Sequence, residues 1–199
     1  MAEKQMIQWL AILIGVIMIA APLARILMSA RRPVARTIGS GVLGRRWPAA
    51  AATTAGLVII GFLLWRPLPL SLPPALDGAI DILGLLLYLA GAALYLWGLV
   101  SLGSQFGVSS VSGADLLAGH KLVAKGPFKL VRHPMYLGVL LAAPGALLIF
   151  WTWAMLLFAP MSLVVLLRAE HEERLLEAAY GEEWLQYAKR VPKWFPRFR

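Results

Sequence analysis

The feature that most constrains this chain is an uncharged stretch of 33 residues from Met135 to Leu167. A single helix of that length would extend about 50 Å, whereas the hydrocarbon core of a bilayer is about 30 Å thick. Pro144, Pro160 and the aromatic residues at 151–153 predict a break near the middle. We therefore interpret residues 136–167 as a hairpin of two short helices.

Three further apolar segments approach the length of one membrane span, at residues 5–24, 49–65 and 82–102. With 60% hydrophobic and 15% charged residues, the chain is typical of integral membrane proteins and not of soluble domains. We predict an all-α integral membrane fold with about five transmembrane helices and with C-terminal amphipathic helices. Residues 1–102 would carry the first three spans, and residues 103–199 the functional region, within one domain overall.

Six arginines lie between residues 25 and 47, a stretch without an acidic residue. Because arginine and lysine accumulate in cytoplasmic loops, this stretch predicts orientation. Five crossings place it on the cytoplasmic side with the polar stretch 119–138 and the C-terminal region, and they leave the N-terminus outside. An alternative is that the arginines bind anionic lipid or an acidic substrate. We assign the net charge of +9 to the membrane and expect no nucleic-acid partner.

The chain contains no cysteine, which excludes disulfides, a thiol nucleophile and cysteine-ligated metal or iron–sulfur sites. Its three histidines are His120, His133 and His171. They lack the HxxxH and ExxH spacings that place two ligands on one helix face. We therefore predict no metal site, and we expect His171 to be a surface residue.

The first polar stretch, residues 119–138, contains two histidines and four basic residues. A glycine–proline pair at 126–127 predicts a turn, and Pro134 suits the first turn of the following helix. The N-terminus of that helix, next to Arg132 and His133, favours a carboxylate or phosphate. An ordinary basic loop before a proline-started helix would explain the same spacing.

The second polar stretch, residues 168–187, predicts a charged amphipathic helix that ends near Gly181, a suitable C-terminal cap. Arg168 and Glu172 lie four residues apart and share one helix face, where the apolar run ends. An arginine at this depth is costly unless it is paired or used. The two residues therefore form either a functional site or an ion pair that reaches water.

The rest of this region is expected to be solvated or interfacial. Glu170 and Arg174 form a similar pair on a more exposed face. A second short helix begins at Glu182 and stops before Pro192. The tail at 193–199 alternates aromatic and basic residues, which suits a membrane interface.

The two polar segments read HKLVAKGPFKLVRHPMYLG and, beyond the hairpin, RAEHEERLLEAAYGEEWLQYAKRVP. They resemble the isoprenylcysteine carboxyl methyltransferases and their phospholipid N-methyltransferase relatives. These are integral membrane enzymes that use S-adenosylmethionine. The resemblance covers residues 101–192, nearly half of the chain, and the order of the two segments around a hairpin is fairly specific.

The resemblance implies roles for individual residues. Cofactor contacts would come from His120, Leu122, Val123, Phe128, His133, Pro134, Met135, Tyr136 and Glu172. Arg168 would face the substrate and would carry catalysis together with Glu172. Phe128 stands where the eukaryotic carboxyl methyltransferases tend to have tyrosine, so a hydroxyl hydrogen bond is lost there. Gly113 stands where those enzymes have a glutamine contact, which it leaves unsupported.

The chemistry agrees with these implied roles. Methyl transfer from a sulfonium is an in-line displacement that depends on proximity and alignment. A carboxylate acceptor is already a nucleophile at neutral pH and would be held bidentately by Arg168. An amine acceptor would need a base, for which Glu172 or a histidine is a candidate.

We therefore predict an S-adenosylmethionine-dependent membrane methyltransferase acting on a lipidic or prenylated substrate, most like isoprenylcysteine carboxyl O-methylation. Phospholipid N-methylation is the alternative acceptor chemistry. Less favoured alternatives are a nicotinamide-dependent membrane reductase, because membrane sterol reductases carry a similar C-terminal region, and a non-enzymatic lipid-binding membrane protein. The sequence leaves the oligomeric state open.

Overall fold

The computed structural model of the protein is a bundle of helices. The structure describes residues 2–29, 34–37, 42–69, 73–106, 115–117 and 121–196. The helices are α1 (Ala2–Ser29), α2 (Val42–Leu63), α3 (Pro74–Leu102), α4 (Pro134–Phe150), α5 (Trp153–Met161), α6 (Val164–Tyr180) and α7 (Glu182–Arg190). Short 3-10 helices cover Gly103–Gln105 and Gly126–Lys129. The predicted helical membrane fold is confirmed.

One short antiparallel ladder accompanies the helices, and the sequence did not predict it. Strand β1 (Val34–Thr37) pairs with strand β2 (Asp115–Leu117). The ladder joins the arginine-rich segment to the segment that precedes the first polar stretch. It therefore connects the two halves of the chain.

Helices α3 and α4 pack with their backbones in close contact, through glycines spaced seven residues apart. Gly91 of α3 lies against Gly138 of α4, and Gly84 lies against Gly145. A Cβ atom added at Gly91 would lie 2.5 Å from the Gly138 carbonyl oxygen and 2.5 Å from the Ala142 amide nitrogen. Small residues let helices approach closely in a membrane, where association depends on packing. The glycines thus set the spacing and the antiparallel register of this pair.

Helix α1 packs against the same pair through its apolar middle. The Tyr88 hydroxyl donates a 2.9 Å hydrogen bond to the Ala11 carbonyl oxygen, which joins α3 to α1. The buried cluster here consists of Ala11, Tyr88, Ala142, Ala146 and Ile149. Other faces of α1 carry large, exposed apolar side chains, as expected for a surface that contacts lipid.

Polar contacts define the two ends of the bundle. At one end, Lys4 of α1 lies 2.9 Å from Asp77 and 3.2 Å from Asp81, both near the start of α3. At the other end, Arg25 of α1 donates a 2.6 Å hydrogen bond to the carbonyl oxygen of Gly103, which directly follows α3. Helices α1 and α3 therefore run parallel, and α4 returns antiparallel to both.

The long apolar stretch breaks where the sequence predicts. Trp151 adopts a left-handed conformation with a φ of 49° and ends α4. Thr152 then caps α5, because its hydroxyl accepts a hydrogen bond from the Met155 amide. Pro144 and Pro160 lie inside helices α4 and α5, so the prolines named in the prediction do not make the break.

The turn between α4 and α5 lies at the end of the bundle that holds the start of α1. The Gln8 side chain of α1 donates a 3.3 Å hydrogen bond to the Ile149 carbonyl oxygen. The segment after α2 pairs with the same turn, since the Leu68 amide donates to the Trp151 carbonyl oxygen at 2.9 Å. Helix α2 therefore ends at this end of the bundle.

Among the described residues, three helical segments are long and apolar enough to cross a membrane. They are Glu3–Met28, Leu76–Leu102 and Trp153–Tyr180, and two shorter apolar helices cover Ala52–Leu63 and Pro134–Phe150. Four of the five segments overlap predicted crossings. The fifth crossing was expected to be one short helix ending at Leu167, whereas the segment Trp153–Tyr180 is interrupted between α5 and α6 and continues to Tyr180. The count of five stays a prediction, because the two shorter helices are below the length of a full span.

Three helix starts differ from the sequence-based expectations. Helix α3 begins at Pro74 and not near residue 82, because a proline is tolerated in the first turn. Helix α2 begins at Val42, inside the stretch expected to be a loop. Helix α6 begins at Val164, so that Arg168 lies one turn inside the helix and not at its start.

The predicted C-terminal boundaries are confirmed. Helix α6 ends at Tyr180, and Gly181 follows with a φ of 53°, a conformation that glycine adopts without strain. Helix α7 begins directly afterwards and ends at Arg190, before Pro192. The α6–α7 corner is therefore a local property of the sequence.

Candidate functional site

A cavity of about 370 Å³ opens where the two polar stretches meet. Its walls come from the end of α3, the start of α4, and helices α6 and α7. Most of the lining is aromatic or aliphatic, and the charged groups in it are Arg132, Arg168 and Glu172. A mostly apolar cavity with a few convergent polar groups is typical of a small-molecule site.

The stretch ahead of α4 folds back on the end of α3. Gly126 has a φ of 59° and lies so close to Ser101 that an added Cβ atom would overlap the serine hydroxyl. The short 3-10 helix Gly126–Lys129 follows and buries its proline. His133 then directly precedes α4, whose first residue is Pro134, as the sequence predicts. This local fold brings the first polar stretch to the cavity wall.

Arg168, Glu172 and Tyr136 lie together at one wall of the cavity. The Arg168 Nε donates a 2.8 Å hydrogen bond to the Tyr136 hydroxyl. Glu172 lies one turn further along α6 and also lines the cavity. Because Tyr136 belongs to α4, this contact joins the two polar stretches in one site. A cation, a hydroxyl group and a carboxylate are thereby presented to the same volume.

A second carboxylate, which the sequence reasoning did not select, binds the start of α4. Glu173 Oε1 lies 3.0 Å from His133 Nε2 and 3.2 Å from Arg132 Nη1. The His133 side chain is 5% exposed and that of Glu173 is 18% exposed. A carboxylate of the chain itself therefore binds the side chains of Arg132 and His133, while the anion site predicted at the N-terminus of α4 stays a prediction.

The adjacent residues Glu172 and Glu173 of α6 face different parts of the protein, because successive residues of a helix point about 100° apart. Glu172 lines the cavity, whereas Glu173 contacts the residues behind it. The sequence offered no clear signal for Glu173; in the structure it lies four residues after Ala169, which is fully buried. Residues four apart share one helix face, and this face turns toward the protein.

The segment that follows α7 runs beside His133. The amides of Arg132 and His133 donate to the carbonyl oxygens of Pro192 and Lys193, at 2.9 and 3.4 Å. The Lys193 ammonium lies 3.5 Å from Glu173 Oε2. The C-terminal segment is therefore attached to the start of α4 by both backbone and side chain.

Two aromatic rings contact the imidazole of His133. The Tyr136 ring is stacked on it, with centroids 5.5 Å apart and planes 13° apart. The Trp194 ring lies at the same centroid distance with an angle of 37°. The imidazole is thus held by two rings and by the Glu173 carboxylate, each from a different element of the chain.

Helix α7 contributes two buried aromatic residues, Trp184 and Tyr187, each 4% exposed. The Tyr187 hydroxyl donates a 2.8 Å hydrogen bond to the Phe128 carbonyl oxygen, and the Arg132 guanidinium lies 5.8 Å from the centre of the Trp184 ring. Burial raises the pKa of Tyr187 to about 12; the Arg132 charge opposes this shift and the Glu173 charge adds to it. The hydroxyl is therefore neutral and remains a donor at physiological pH.

All predicted site residues that the structure describes line this cavity. They are Leu122, Val123, Phe128, His133, Pro134, Met135, Tyr136, Arg168 and Glu172. His120 and Gly113 lie outside the described residues. The structure brings the predicted set together, while the role of each residue stays a prediction.

Sequence reasoning missed the contribution of α7 to the cavity. Trp184 and Tyr187 both line it. Their spacing of three residues on an amphipathic helix was the available signal, because residues three apart face the same side. What they face is decided by the corner at Gly181, which folds α7 back toward the first polar stretch.

Two other predictions for this region, one for His171 and one for Glu170, have different outcomes. His171 is exposed, as predicted. Glu170, which was expected to pair with Arg174, instead accepts a hydrogen bond from Lys193 of the C-terminal segment. Within the part of the chain that the structure describes, no group of three or more His, Asp or Glu side chains is placed to hold a metal ion.

Comparisons with known proteins give a family and a relative. The model of the family described as phospholipid methyltransferase matches residues 80–183, slightly more than half of the chain. The chain is also similar to the Protein-S-isoprenylcysteine O-methyltransferase B of Arabidopsis thaliana, with 30% identity over 86 residues. That match covers 39% of this chain and 40% of the relative, so the chain spans well under two thirds of the length of this curated relative.

Proposed function

The chain belongs to the phospholipid methyltransferase family, and from that premise we propose that it is a membrane methyltransferase that uses S-adenosylmethionine. We propose a lipidic or prenylated carboxylate as the acceptor, most like isoprenylcysteine carboxyl O-methylation. One observation carries the proposal. The wall formed by Arg168, Tyr136 and Glu172 is continuous with apolar side chains on α4 and α6, including Val139 and Val165. This combination fits an acceptor with a charged head and an apolar chain.

The side chains that line the cavity fit S-adenosylmethionine. The Glu172 carboxylate complements an ammonium group, and the aromatic rings of Phe128 and Trp184 offer apolar surface to an adenine. Aromatic faces also attract a positively charged sulfonium. The residues that would hold the molecule are His120, Leu122, Val123, Phe128, His133, Pro134, Met135, Tyr136 and Glu172.

Bound S-adenosylmethionine supplies an electrophilic methyl group on a positively charged sulfur. The residues of the chain supply alignment. The guanidinium of Arg168, oriented by the Tyr136 hydroxyl, binds an acceptor carboxylate bidentately and fixes the attacking oxygen. A carboxylate needs no base at neutral pH, so holding the two reactants in line is the main contribution to rate.

Phospholipid N-methylation is the second candidate, and the description of the matching family favours it. In that case Arg168 would bind a lipid phosphate. Glu172 would accept the proton that an amine must lose before it attacks. The two candidates differ in product, because base hydrolyses a methyl ester and leaves an N-methyl group intact.

The proposed orientation places the cavity and the C-terminus on the cytoplasmic side and the N-terminus outside. The arginines between residues 25 and 47 support it through the positive-inside rule. The contact between Arg25 and Gly103 supports it as well, because it puts that basic region at the cavity end of the bundle. The acceptor would enter from the bilayer and S-adenosylmethionine from the cytosol.

Calorimetric titration of detergent-purified protein with S-adenosylmethionine tests the proposal. We expect wild type to bind. Glu172→Ala and His133→Ala should each weaken binding by about 10-fold or more, since a hydrogen bond to a charged group is worth about 1.5–3 kcal/mol. Glu177→Ala, an exposed position on the same helix, is the matched control and should bind like wild type.

Binding of other ligands distinguishes the methyltransferase from the less favoured functions. Wild type that fails to bind S-adenosylmethionine even with lipid present would contradict the methyltransferase proposal. Binding of a reduced nicotinamide would then support a membrane reductase. Binding of lipid alone would support a non-enzymatic lipid-binding protein.

A further inference from the structure

We propose that Glu173 is a positioning residue that, together with the C-terminal segment 191–196, holds the imidazole of His133 at the cavity wall. We refer to Glu173 and segment 191–196 as the clamp. The inference rests on the proposed function, because it assigns the clamp to the cavity that would bind S-adenosylmethionine. Glu173 acts through another residue, since His133 lines the cavity and Glu173 does not.

The hydrogen bond between Glu173 and His133 fixes both the ring orientation and the position of its proton. The carboxylate oxygen lies 3.0 Å from Nε2 and, when ionised, acts only as an acceptor. Nε2 must therefore carry a hydrogen, and in the neutral imidazole Nδ1 is the acceptor. With 5% of its side chain exposed, His133 has little room to turn away from this arrangement.

Two cations offset the cost of placing the Glu173 carboxylate in a partly buried position. Arg132 Nη1 lies 3.2 Å from one carboxylate oxygen, and the Lys193 Nζ lies 3.5 Å from the other. A buried carboxylate without such partners would be strongly unfavourable. Charges from the start of α4 and from the C-terminal segment therefore both meet the Glu173 side chain of α6.

The C-terminal segment 191–196 contacts His133 in addition to Glu173. It accepts backbone hydrogen bonds from Arg132 and His133 through the carbonyl oxygens of Pro192 and Lys193. Its Trp194 ring contacts the imidazole at a centroid distance of 5.5 Å. His133 is thus connected to the segment by its amide and by its ring, while its Nε2 is bound to Glu173.

Glu173 could instead be a staple, which we define as a contact between α6 and α4 that only stabilises the fold. The staple and the clamp predict different effects of removing Glu173. A staple would lower the stability of the protein when it is removed and would leave ligand affinity unchanged in the protein that stays folded. A clamp would also change the amide exchange of Arg132 and His133 and the affinity of the cavity. The test therefore measures amide hydrogen exchange, affinity for S-adenosylmethionine and thermal stability on the same samples.

The first measurement needs no ligand. Hydrogen–deuterium exchange is followed by mass spectrometry on wild type, Glu173→Ala, Glu173→Gln and Glu177→Gln. We expect Glu173→Ala to speed exchange of the Arg132 and His133 amides by at least about 10-fold, because their carbonyl partners are released. Glu173→Gln keeps an oxygen acceptor for Nε2–H and should restore most of the protection. Glu177→Gln, exposed one turn further on α6, should match wild type.

The second measurement is the affinity for S-adenosylmethionine. We expect Glu173→Ala to weaken it by about 10-fold or more and Glu173→Gln by less than about 3-fold, since the second variant retains the hydrogen bond to His133. If Glu173→Ala fails to fold, Trp194→Ala provides the same test from the other half of the clamp. It should weaken affinity by about 3-fold or more through loss of its ring contact with His133.

Two outcomes would overturn the inference, and they differ from each other. If wild type binds S-adenosylmethionine and Glu173→Ala, or Trp194→Ala in its place, binds equally well, the clamp is wrong and the proposed function stands. If wild type does not bind S-adenosylmethionine, the proposed function is wrong and the clamp loses its assignment to that ligand.

Discussion

At the scale of single residues, Arg168 has the placement that bears most directly on function. An arginine at the end of a long apolar stretch is costly unless it is paired or used. Here its Nε donates to the Tyr136 hydroxyl, which orients the planar guanidinium at the exposed side of the cavity. This hydrogen bond supports our proposal that Arg168 binds the anionic group of the acceptor.

We expect Arg168→Lys to lower the kcat/KM for methyl transfer by at least about 10-fold. An ammonium group cannot bind a carboxylate bidentately, and the loss of a charged hydrogen bond costs about 1.5–3 kcal/mol. Affinity for S-adenosylmethionine should change by less than about 3-fold, because the role we propose for Arg168 is to bind the acceptor and not the cofactor. The measurement is transfer of a labelled methyl group to a prenylated carboxylate.

Arg174→Lys is the control for that prediction. Arg174 lies on the same helix and is exposed, and it does not line the cavity. The Arg174→Lys variant should retain wild-type activity. Full activity in Arg168→Lys would contradict the assigned role of Arg168.

Tyr187→Phe should lower the free energy of unfolding by about 1 kcal/mol at neutral pH, because the hydrogen bond to the Phe128 carbonyl oxygen is lost. The folded-state pKa of Tyr187, about 12, lies above the ordinary value of 10.0. Its contribution to stability is therefore complete below about pH 10 and is lost as the pH rises toward 12. The difference between wild type and variant should shrink across that window.

Denaturant unfolding in detergent at a series of pH values measures this difference. The unchanged ionisable groups of the two proteins largely cancel in the comparison, which isolates the tyrosine. A difference that stays constant from neutral pH up to pH 12 would contradict the shifted pKa of Tyr187.

At the scale of elements, the α3–α4 pair positions the site. The close approach at Gly84 and Gly91 fixes how far α4 can slide along α3. The start of α4 carries His133 and Tyr136 to the cavity, while the end of α3 supports the turn at Gly126. The glycine contacts, which lie in the apolar part of the bundle, therefore determine where His133 and Tyr136 lie in the site.

We expect Gly91→Ala to destabilise the protein by about 1–3 kcal/mol, because the added methyl group would overlap the α4 backbone and force the helices apart. Gly78→Ala introduces the same group into the same helix, where nothing lies within 4 Å of the added atom. It should leave stability equal or raise it by up to about 1 kcal/mol, through helix propensity. Thermal unfolding of both variants in detergent measures the contrast, and equal effects would contradict the close packing.

At the scale of the whole molecule, polar groups are separated to the two ends of an apolar bundle. The ion pairs of Lys4 with Asp77 and Asp81 lie at one end. The cavity, the Arg25 contact with Gly103 and the C-terminal helices lie at the other. The intervening surface is rich in exposed apolar side chains. This arrangement suits a protein that spans a bilayer with its site at one face.

Cysteine labelling tests the predicted orientation, and the absence of native cysteine removes the usual background. Glu3→Cys and Glu182→Cys place single thiols at exposed positions near the two ends of the bundle. We expect a membrane-impermeant maleimide to label position 3 in intact cells and position 182 only after the membrane is opened. The reverse pattern would contradict an N-terminus outside and a cytoplasmic site.

Much of the fold was predictable because it depends on local sequence. The apolar run of 33 residues exceeds one span, so it must break, and it does so at Trp151. Gly181 ends α6 because glycine adopts a positive φ without strain. Pro134 starts α4 because proline is tolerated in the first turn of a helix, which is also a local property. The family resemblance then named candidate site residues, and those that the structure describes line one cavity.

The sequence by itself determined the membrane class, the order of the helices and the two polar stretches, since hydrophobicity, proline and glycine act within a few residues. Only the tertiary structure decided which glutamate meets which histidine. Glu173 and His133 are 40 residues apart, and Lys193 comes from beyond α7. Such contacts depend on how the glycines of α3 and α4 set the helix register and on how the corner at Gly181 turns the chain. Local signals place these glycines along the chain, but contacts between distant side chains form only when the helices that carry them pack together.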